Sequence, residues 1–350
     1  MHQLLSPWGR VLKPGRIALL ALLLVMSLLT GCGSKSASTV EPAAANSTEA
    51  GKQDKDKDNE SSGQAEEKQS ESFTPVTVKD ELGNEVTISE APTRVFAPYM
   101  EDSLLVLGVQ PVAQWSNGSK LQEHLKDRMP DVPAINFVSG LPPSAEAVMS
   151  FEPDLIVLHN ASYAQNGVYE NYSQIAPTYV FKNAAGDVES SVRQLAELLG
   201  KSVEAEQALQ AYQQKVTDTK AKLAPVIEGK TAAIIRLNGK GMFVMGGEYF
   251  GGYVLAHELG LAKSKLVEDA NSANLSLEIL PELGADYIFL ANDGGTGDAF
   301  VKELTESSIW KGLDAVKNGH VYEVNTEYWF GGGLIAYEKI MDDVVELLAP

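Results

Sequence analysis

The side chains able to do chemistry in this chain are few and poorly spaced for catalysis. Five histidines, His2, His124, His159, His257 and His320, are scattered along the sequence, whereas a zinc site needs clustered ligands. No G-x-S-x-G elbow is present, and Gly239-Lys240-Gly241 is followed by Met242 where a phosphate loop carries Ser or Thr. Gly331-Gly332-Gly333 before a helix could offer free N–H groups to an anion, and serves equally as a turn. The single thiol, Cys32, has no disulfide partner. The more numerous candidates are aromatic and amide side chains, whose chemistry is recognition by contact area and a few hydrogen bonds. No enzymatic activity is expected.

Two series of elements position these groups. The first reads as strands over residues 94–97, 111–114, 134–138, 155–158 and 178–181, with helices over 103–107 and 144–150. Nearly continuous apolar strands separated by helices predict a mostly parallel sheet covered on both faces. Residues 187–223 place Val188, Val192, Leu195 and Leu199, then Leu209, Tyr212, Val216 and Leu223, near three- and four-residue spacings, with a break at Gly200. The second part of that stretch predicts a helix of about 21 residues, roughly 30 Å long. A second series follows, with strands over 232–237, 242–245, 287–290 and 320–324 and helices over 252–259, 277–282 and 334–348. The expected fold is α/β, two Rossmann-like lobes joined by a single long backbone helix, with a ligand cleft between them.

Ligands of open α/β sheets sit beyond the carboxyl ends of the strands. That rule selects Tyr99, Met100, Trp115, Asn117, Ser139, His159, Asn160 and Tyr163 in the first lobe. In the second it selects Arg236, Asn238, Tyr249, Phe250, Asn292, Tyr328, Trp329 and Phe330. Such a lining suits a bulky, mostly neutral ligand.

The start of the chain carries a different message. Arg10, Lys13 and Arg16 precede an apolar run over 17–29 that ends in Leu29-Thr30-Gly31-Cys32. A basic start, an apolar stretch too short to span a bilayer and small residues before a cut site read as an export signal over 1–31. The ending resembles the lipobox of bacterial lipoproteins. That resemblance implies that Cys32 is lipidated (diacylglyceryl, with palmitate the kind of chain expected) and holds the protein on the extracytoplasmic face of the cell membrane, as in a Gram-positive cell. Residues 32–72 contain one large aliphatic residue, Val40, and cannot bury enough surface to order themselves, so they read as a tether. Removing the signal leaves 25 of the 28 Lys and Arg against all 47 Asp and Glu, a formal charge of −22, which excludes nucleic acid as a partner.

A family resemblance covers residues 73 onward. Its motifs are Pro92-Thr93-Arg94-Val95, Leu107-Gly108-Val109, Phe151-Glu152-Pro153-Asp154-Leu155-Ile156 and Ile175-Ala176-Pro177-Thr178. They continue with Leu283-Gly284-Ala285-Asp286-Tyr287-Ile288, Trp310-Lys311-Gly312-Leu313 and His320-Val321-Tyr322. In this order they resemble the ferric-siderophore and cobalamin class of ABC-transporter substrate-binding proteins. The resemblance implies a stiff, monomeric two-lobed receptor, lobes over 73–185 and 227–350 and a connecting helix over 186–226, passing its ligand to an ABC permease. It also implies that Glu146 and Glu278, one on each lobe and each opening a helix, meet arginines of that permease. The Tyr328-Trp329 pair looks like hydroxamate-receptor members; where some of those carry an arginine before paired glycines, this chain has Phe250.

Charge orders the ligand classes. A ferric tris-catecholate is strongly anionic and calls for several Arg or Lys contacts. Arg236 is the one clear cation among the strand-end residues, Lys120 and Lys240 standing apart from it. A ferric hydroxamate, neutral or cationic, needs fewer and is the expected ligand, bound by Tyr99, Trp115, His159, Arg236, Tyr249, Tyr328 and Trp329, with no other cofactor and no metal held directly by the protein. Ferric catecholate, ferric citrate, haem and cobalamin remain as ligands of the same fold, and a structural or adhesive surface lipoprotein as the non-transport alternative.

Overall fold

The computed structural model describes residues 73–117, 120–137 and 140–349. Cys32, the export signal, the tether and Ser139 lie outside the described residues.

The chain opens with an antiparallel hairpin, β1 (Val76–Lys79) and β2 (Glu85–Ile88). Its turn is built on Asp80, whose carboxylate accepts from the backbone N–H groups of Leu82 and Asn84 at 3.0 and 2.8 Å. The first lobe then runs β3 (Val95–Phe96), α1 (Glu101–Val106), β4 (Gln114–Ser116), β5 (Ala134–Asn136), α2 (Ala145–Met149), β6 (Leu155–Leu158), α3 (Val168–Tyr172) and β7 (Thr178–Val180). β3, β6 and β7 pair in parallel in that order, as do β4 and β5. The strand expected over 111–114 forms three residues later, because Pro111 has no N–H to donate and makes only a bridge to Val95.

Two helices cross to the second lobe, α4 (Val188–Leu199) and α5 (Ser202–Ile227). Gly200 divides them in the left-handed conformation, φ +66°. α5 has 26 residues, about 39 Å of helix. It is longer than the periodicity suggested, because Pro225 sits in its last turn without ending it.

The second lobe runs β8 (Thr231–Asn238), β9 (Gly241–Met245), α6 (Phe250–Tyr253) continued by a π-turn over Val254–Glu258, β10 (Ala262–Lys263), β11 (Ser272–Leu275) and β12 (Tyr287–Asn292). It closes with α7 (Asp298–Glu306), α8 (Ser308–Gly312), α9 (Asp314–Lys317), β13 (Val321–Glu323), α10 (Thr326–Trp329) and α11 (Leu334–Leu348). Its sheet, β11-β9-β8-β12-β13 with β10 also on β8, is mixed rather than parallel: β9 returns antiparallel to β8 and β11 antiparallel to β9. The reversal is the Asn238-Gly239-Lys240-Gly241 turn, where the Asn238 side chain accepts from Lys240 N at 2.9 Å. Residues 277–282 are a turn and a short 3₁₀ segment, Leu280–Glu282, rather than the expected α-helix, since Pro281 cannot donate within it.

The lobes repeat one device. Asp154, just before β6, accepts from the N–H groups of Thr93 and Arg94 at the start of β3. Asp286, just before β12, accepts from Thr231 N at the start of β8 and pairs with Lys230. These aspartates belong to the two segments Glu-Pro-Asp and Gly-Ala-Asp and pin neighbouring parallel strands.

One hydrophobic cluster passes through both lobes. It joins Val95, Leu104, Leu155 and Phe181 to Leu209 and Tyr212 of α5, to Tyr337 and Ile340 of α11, and to Ile234 and Phe289 of the second sheet.

Candidate functional site

A cavity of about 480 Å³ opens between the lobes, and the carboxyl ends of both sheets face it. Tyr99, Met100, Trp115, His159 and Asn160 form the first-lobe wall, Asn183 to Ala185 and Val188 the back, and Arg236, Phe250 and Phe330 the second-lobe wall.

The first wall is an aromatic nest. The Tyr99 ring lies 5.1 Å from Trp115, 4.4 Å from His159 and 5.8 Å from Tyr163, and the Tyr163 ring lies 4.6 Å from His159, tilted against it. Burial raises the Tyr99 hydroxyl well above its usual range, so it is a neutral group that can donate. Burial lowers His159 to about 4, so its ring is neutral at physiological pH. Tyr99 is held at φ +69° and Phe250 at φ +57°, a left-handed conformation that bulky side chains rarely adopt. Each lobe thus presents one aromatic side chain to the cavity from a strained backbone position.

The wall rests on a buried acid. Glu101, fully inaccessible in α1, accepts from Trp115 N at 2.6 Å and from Gln122 Nε2 at 2.5 Å. Gln122 also lines the cavity. Burial pushes the Glu101 carboxyl from 4.5 up to about 7.

Its neighbour Asp102 reaches the far end of the chain. Its two oxygens accept from the N–H groups of Ile335 and Ala336, at 3.0 and 2.9 Å, at the start of α11. The anion received below the three glycines is therefore the protein's own side chain. Gly333 is required by that approach, for a Cβ there would lie 2.1 Å from Asp102 Cγ.

On the second wall, Arg236 Nε and Nη2 both donate to Asp293 Oδ2, at 3.0 and 2.7 Å, and the guanidinium lies 4.3 Å from the centroid of the Phe330 ring. Lys120 and Glu327 also line the cavity. Partial burial raises the Glu327 carboxyl, and the Lys120 charge opposes that rise. The lining therefore carries two cations and two carboxylates.

Three of the seven residues expected to bind the ligand lie elsewhere. Trp329 is wholly buried: its ring packs 4.9 Å from Phe289 under Gly251, and Nε1 donates to Asp343 at 2.7 Å. Tyr328 donates to the same carboxylate at 2.8 Å and does not line the cavity. Tyr249 packs by Gly186, outside the lining. All three follow or precede cavity residues by one position, and the short helices α6 and α10 turn consecutive side chains to different sides. Asn238 and Asn292 are spent on turns, Asn292 through Gly297 N and Asp298. Lys120, Gln122, Asp293 and Glu327 were missed as cavity residues, though Asp293 directly follows the end of β12. Among the described residues no three His, Cys, Asp or Glu side chains converge as a metal would require.

Glu146 and Glu278 are both exposed. Glu146 lies in the first turn of α2, behind its N-cap Ser144, whereas Glu278 lies in a turn and opens no helix.

Two α/β lobes on a long connecting helix, with a cavity at the strand ends, define a two-lobed binding protein. The chain belongs to the periplasmic binding protein family, whose model matches residues 95–328. It is similar to the iron(3+)-hydroxamate-binding protein YxeB of Bacillus subtilis strain 168, 30% identical over 302 residues, 82% of this chain and 89% of that one. The iron(3+)-hydroxamate-binding protein FhuD of the same organism is 32% identical over 215 residues, 59% of this chain and 66% of that one. Among solved structures, Staphylococcus aureus SirA complexed with staphyloferrin B superposes with TM-score 0.68 at 26% identity, covering 78% of this chain and 98% of that one.

Proposed function

We propose that this chain is the extracytoplasmic receptor of an ABC iron-uptake system, held to the cell membrane through lipidated Cys32, and that its cleft takes a ferric siderophore of the hydroxamate type. The observation that carries the reading is the balance of the cleft: an aromatic wall opposite an arginine whose charge is already met by Asp293. A neutral or singly charged chelate meets contact area and neutral donors there, while a highly anionic one finds few cations to replace its hydration, Lys120 beside the paired Arg236. The hydroxamate-binding relatives support it, as does the family's make-up of binding proteins. Glu146 and Glu278, exposed on separate lobes, are the proposed permease contacts.

A second reading, an anionic carboxylate chelate, is favoured by Lys120 in the lining and by the staphyloferrin B complex of SirA. The two separate in a titration of the purified protein with ferrioxamine B, ferric citrate, ferric enterobactin, haemin and cobalamin, followed by quenching of Trp115. Ferrioxamine B should bind below micromolar, on the order of −8 kcal/mol or better, and ferric enterobactin far more weakly. Tighter binding of ferric citrate would favour the second reading, and no binding of any of the five would favour a structural lipoprotein.

A further inference from the structure

We propose that Asp293 sets the ligand charge that this cleft admits, by occupying the guanidinium that would otherwise face an anionic chelate. The inference rests on the reading of the cleft as a ferric-chelate site.

Parallel pairing places the two residues together. Arg236 on β8 is in register with Ala291 on β12, and Asp293 follows one residue beyond that strand. The carboxylate receives both Nε and Nη2 on a single oxygen, and the Phe330 ring lies against the guanidinium. An arginine recognises anions through its fork of parallel N–H donors. Here one edge of that fork is spent on Asp293. The pair is only partly exposed, with side chains 35% and 19% accessible, so water screens it less than a surface pair. Relatives on this fold include binders of hydroxamate and of staphyloferrin B chelates. A residue that leaves the lobes unchanged and switches one cation on or off is a short route between such ligands.

The turn that carries Asp293 does not depend on its carboxylate. Thr296 N and Oγ1 donate to the Asp293 backbone carbonyl at 2.9 and 2.7 Å, and the Asn292 side chain holds Gly297 N at 3.0 Å. Asp293→Asn therefore keeps the turn and an oxygen able to accept from Arg236, while removing the countercharge that neutralises the guanidinium.

The test compares affinities of the full mature protein, wild type and variants, for neutral ferrioxamine E and for anionic ferric dicitrate. Asp293→Asn should tighten ferric dicitrate about tenfold, equivalent to about 1.4 kcal/mol, and change ferrioxamine E by less than about threefold. Adding Arg236→Gln should erase that gain, and the gain should shrink as salt is raised. An unchanged ratio between the two chelates, with wild type binding at least one, would overturn the proposal alone. So would a parallel loss of both, which would make Asp293 a structural or direct contact. A wild type that binds neither chelate, nor any other of the panel, overturns the underlying reading and this proposal together.

Discussion

Glu101→Gln separates the electrostatic from the structural role of the acid beneath the cavity wall. Glu101 is inaccessible to solvent, and its burial raises the carboxyl from 4.5 to about 7. The native state therefore binds more protons than the unfolded chain between these values, and stability contributed by this group falls as pH rises through that window. Integrating the linkage from about pH 5 to about pH 8 gives roughly 2–3 kcal/mol lost by the wild type on account of this one group. Gln keeps the shape without the titration. The difference in unfolding free energy between wild type and variant should shift by that amount across the range, the variant gaining on the wild type as pH rises. In a folded region of about 275 residues that is a relative Tm shift of about 3–5 °C. Thermal and urea unfolding of both proteins at several pH values read it directly. Parallel pH profiles would show that the donors from Trp115 and Gln122 keep the carboxyl ionised, and the argument from burial would fail. Ligand affinity measured alongside tests the positioning role, since Trp115 and Gln122 both line the cavity.

Other perturbations have equally definite outcomes. Cys32→Ser should release the protein from membranes to the medium with its fold intact, measured by fractionation and mass; retention with a lipid mass shift would contradict the lipid anchor. Glu146→Ala with Glu278→Ala should abolish uptake of labelled iron while ligand affinity stays unchanged, because exposed charges of this kind set orientation and encounter rather than cleft chemistry. Trp115→Ala should cost roughly 2 kcal/mol of ligand binding, read by calorimetry. Trp329→Ala should instead destabilise the fold by about 3–5 kcal/mol in urea unfolding, leaving Asp343 without its indole donor and a void beside Phe289.

The strand β6 and the helix α11 are legible in the sequence to the residue, because burial leaves an unbroken apolar run in the one and a regular helical period in the other. The first hairpin escaped notice although Val76-Thr77-Val78 and Val86-Thr87-Ile88 alternate cleanly around Asp80 and Gly83. The mixed second sheet is hidden for a similar reason: Asn238-Gly239-Lys240-Gly241 is a turn signature whose glycines and lysine also match part of a phosphate loop. Of the site, Tyr99, Trp115, His159 and Arg236 followed from the rule of strand ends. Tyr328, Trp329 and Tyr249 did not, since in a four-residue helix the rule cannot say which of two adjacent side chains faces the cavity. Asp102 and Glu101 were unreadable, because an acid beside an acid at a helix start looks like a solvated pair, and their partners lie 233 and 14 residues away.

The closure of Asp102 on α11 has a consequence for the order in which the molecule can be completed. A chain that emerges from its amino end makes β3 and α1 long before Ile335 and Ala336 exist outside the ribosome. Until then Asp102 has no helix to cap, and the faces of α1 and α5 that later cover Tyr337, Ile340 and Val344 stand open to water. The hydrophobic cluster shared by the two lobes cannot close until α11 arrives. The last fifteen-residue helix acts as a keystone set after the arch is built, so shortening the chain before Leu334 should yield material that is cleared by proteases rather than a working half.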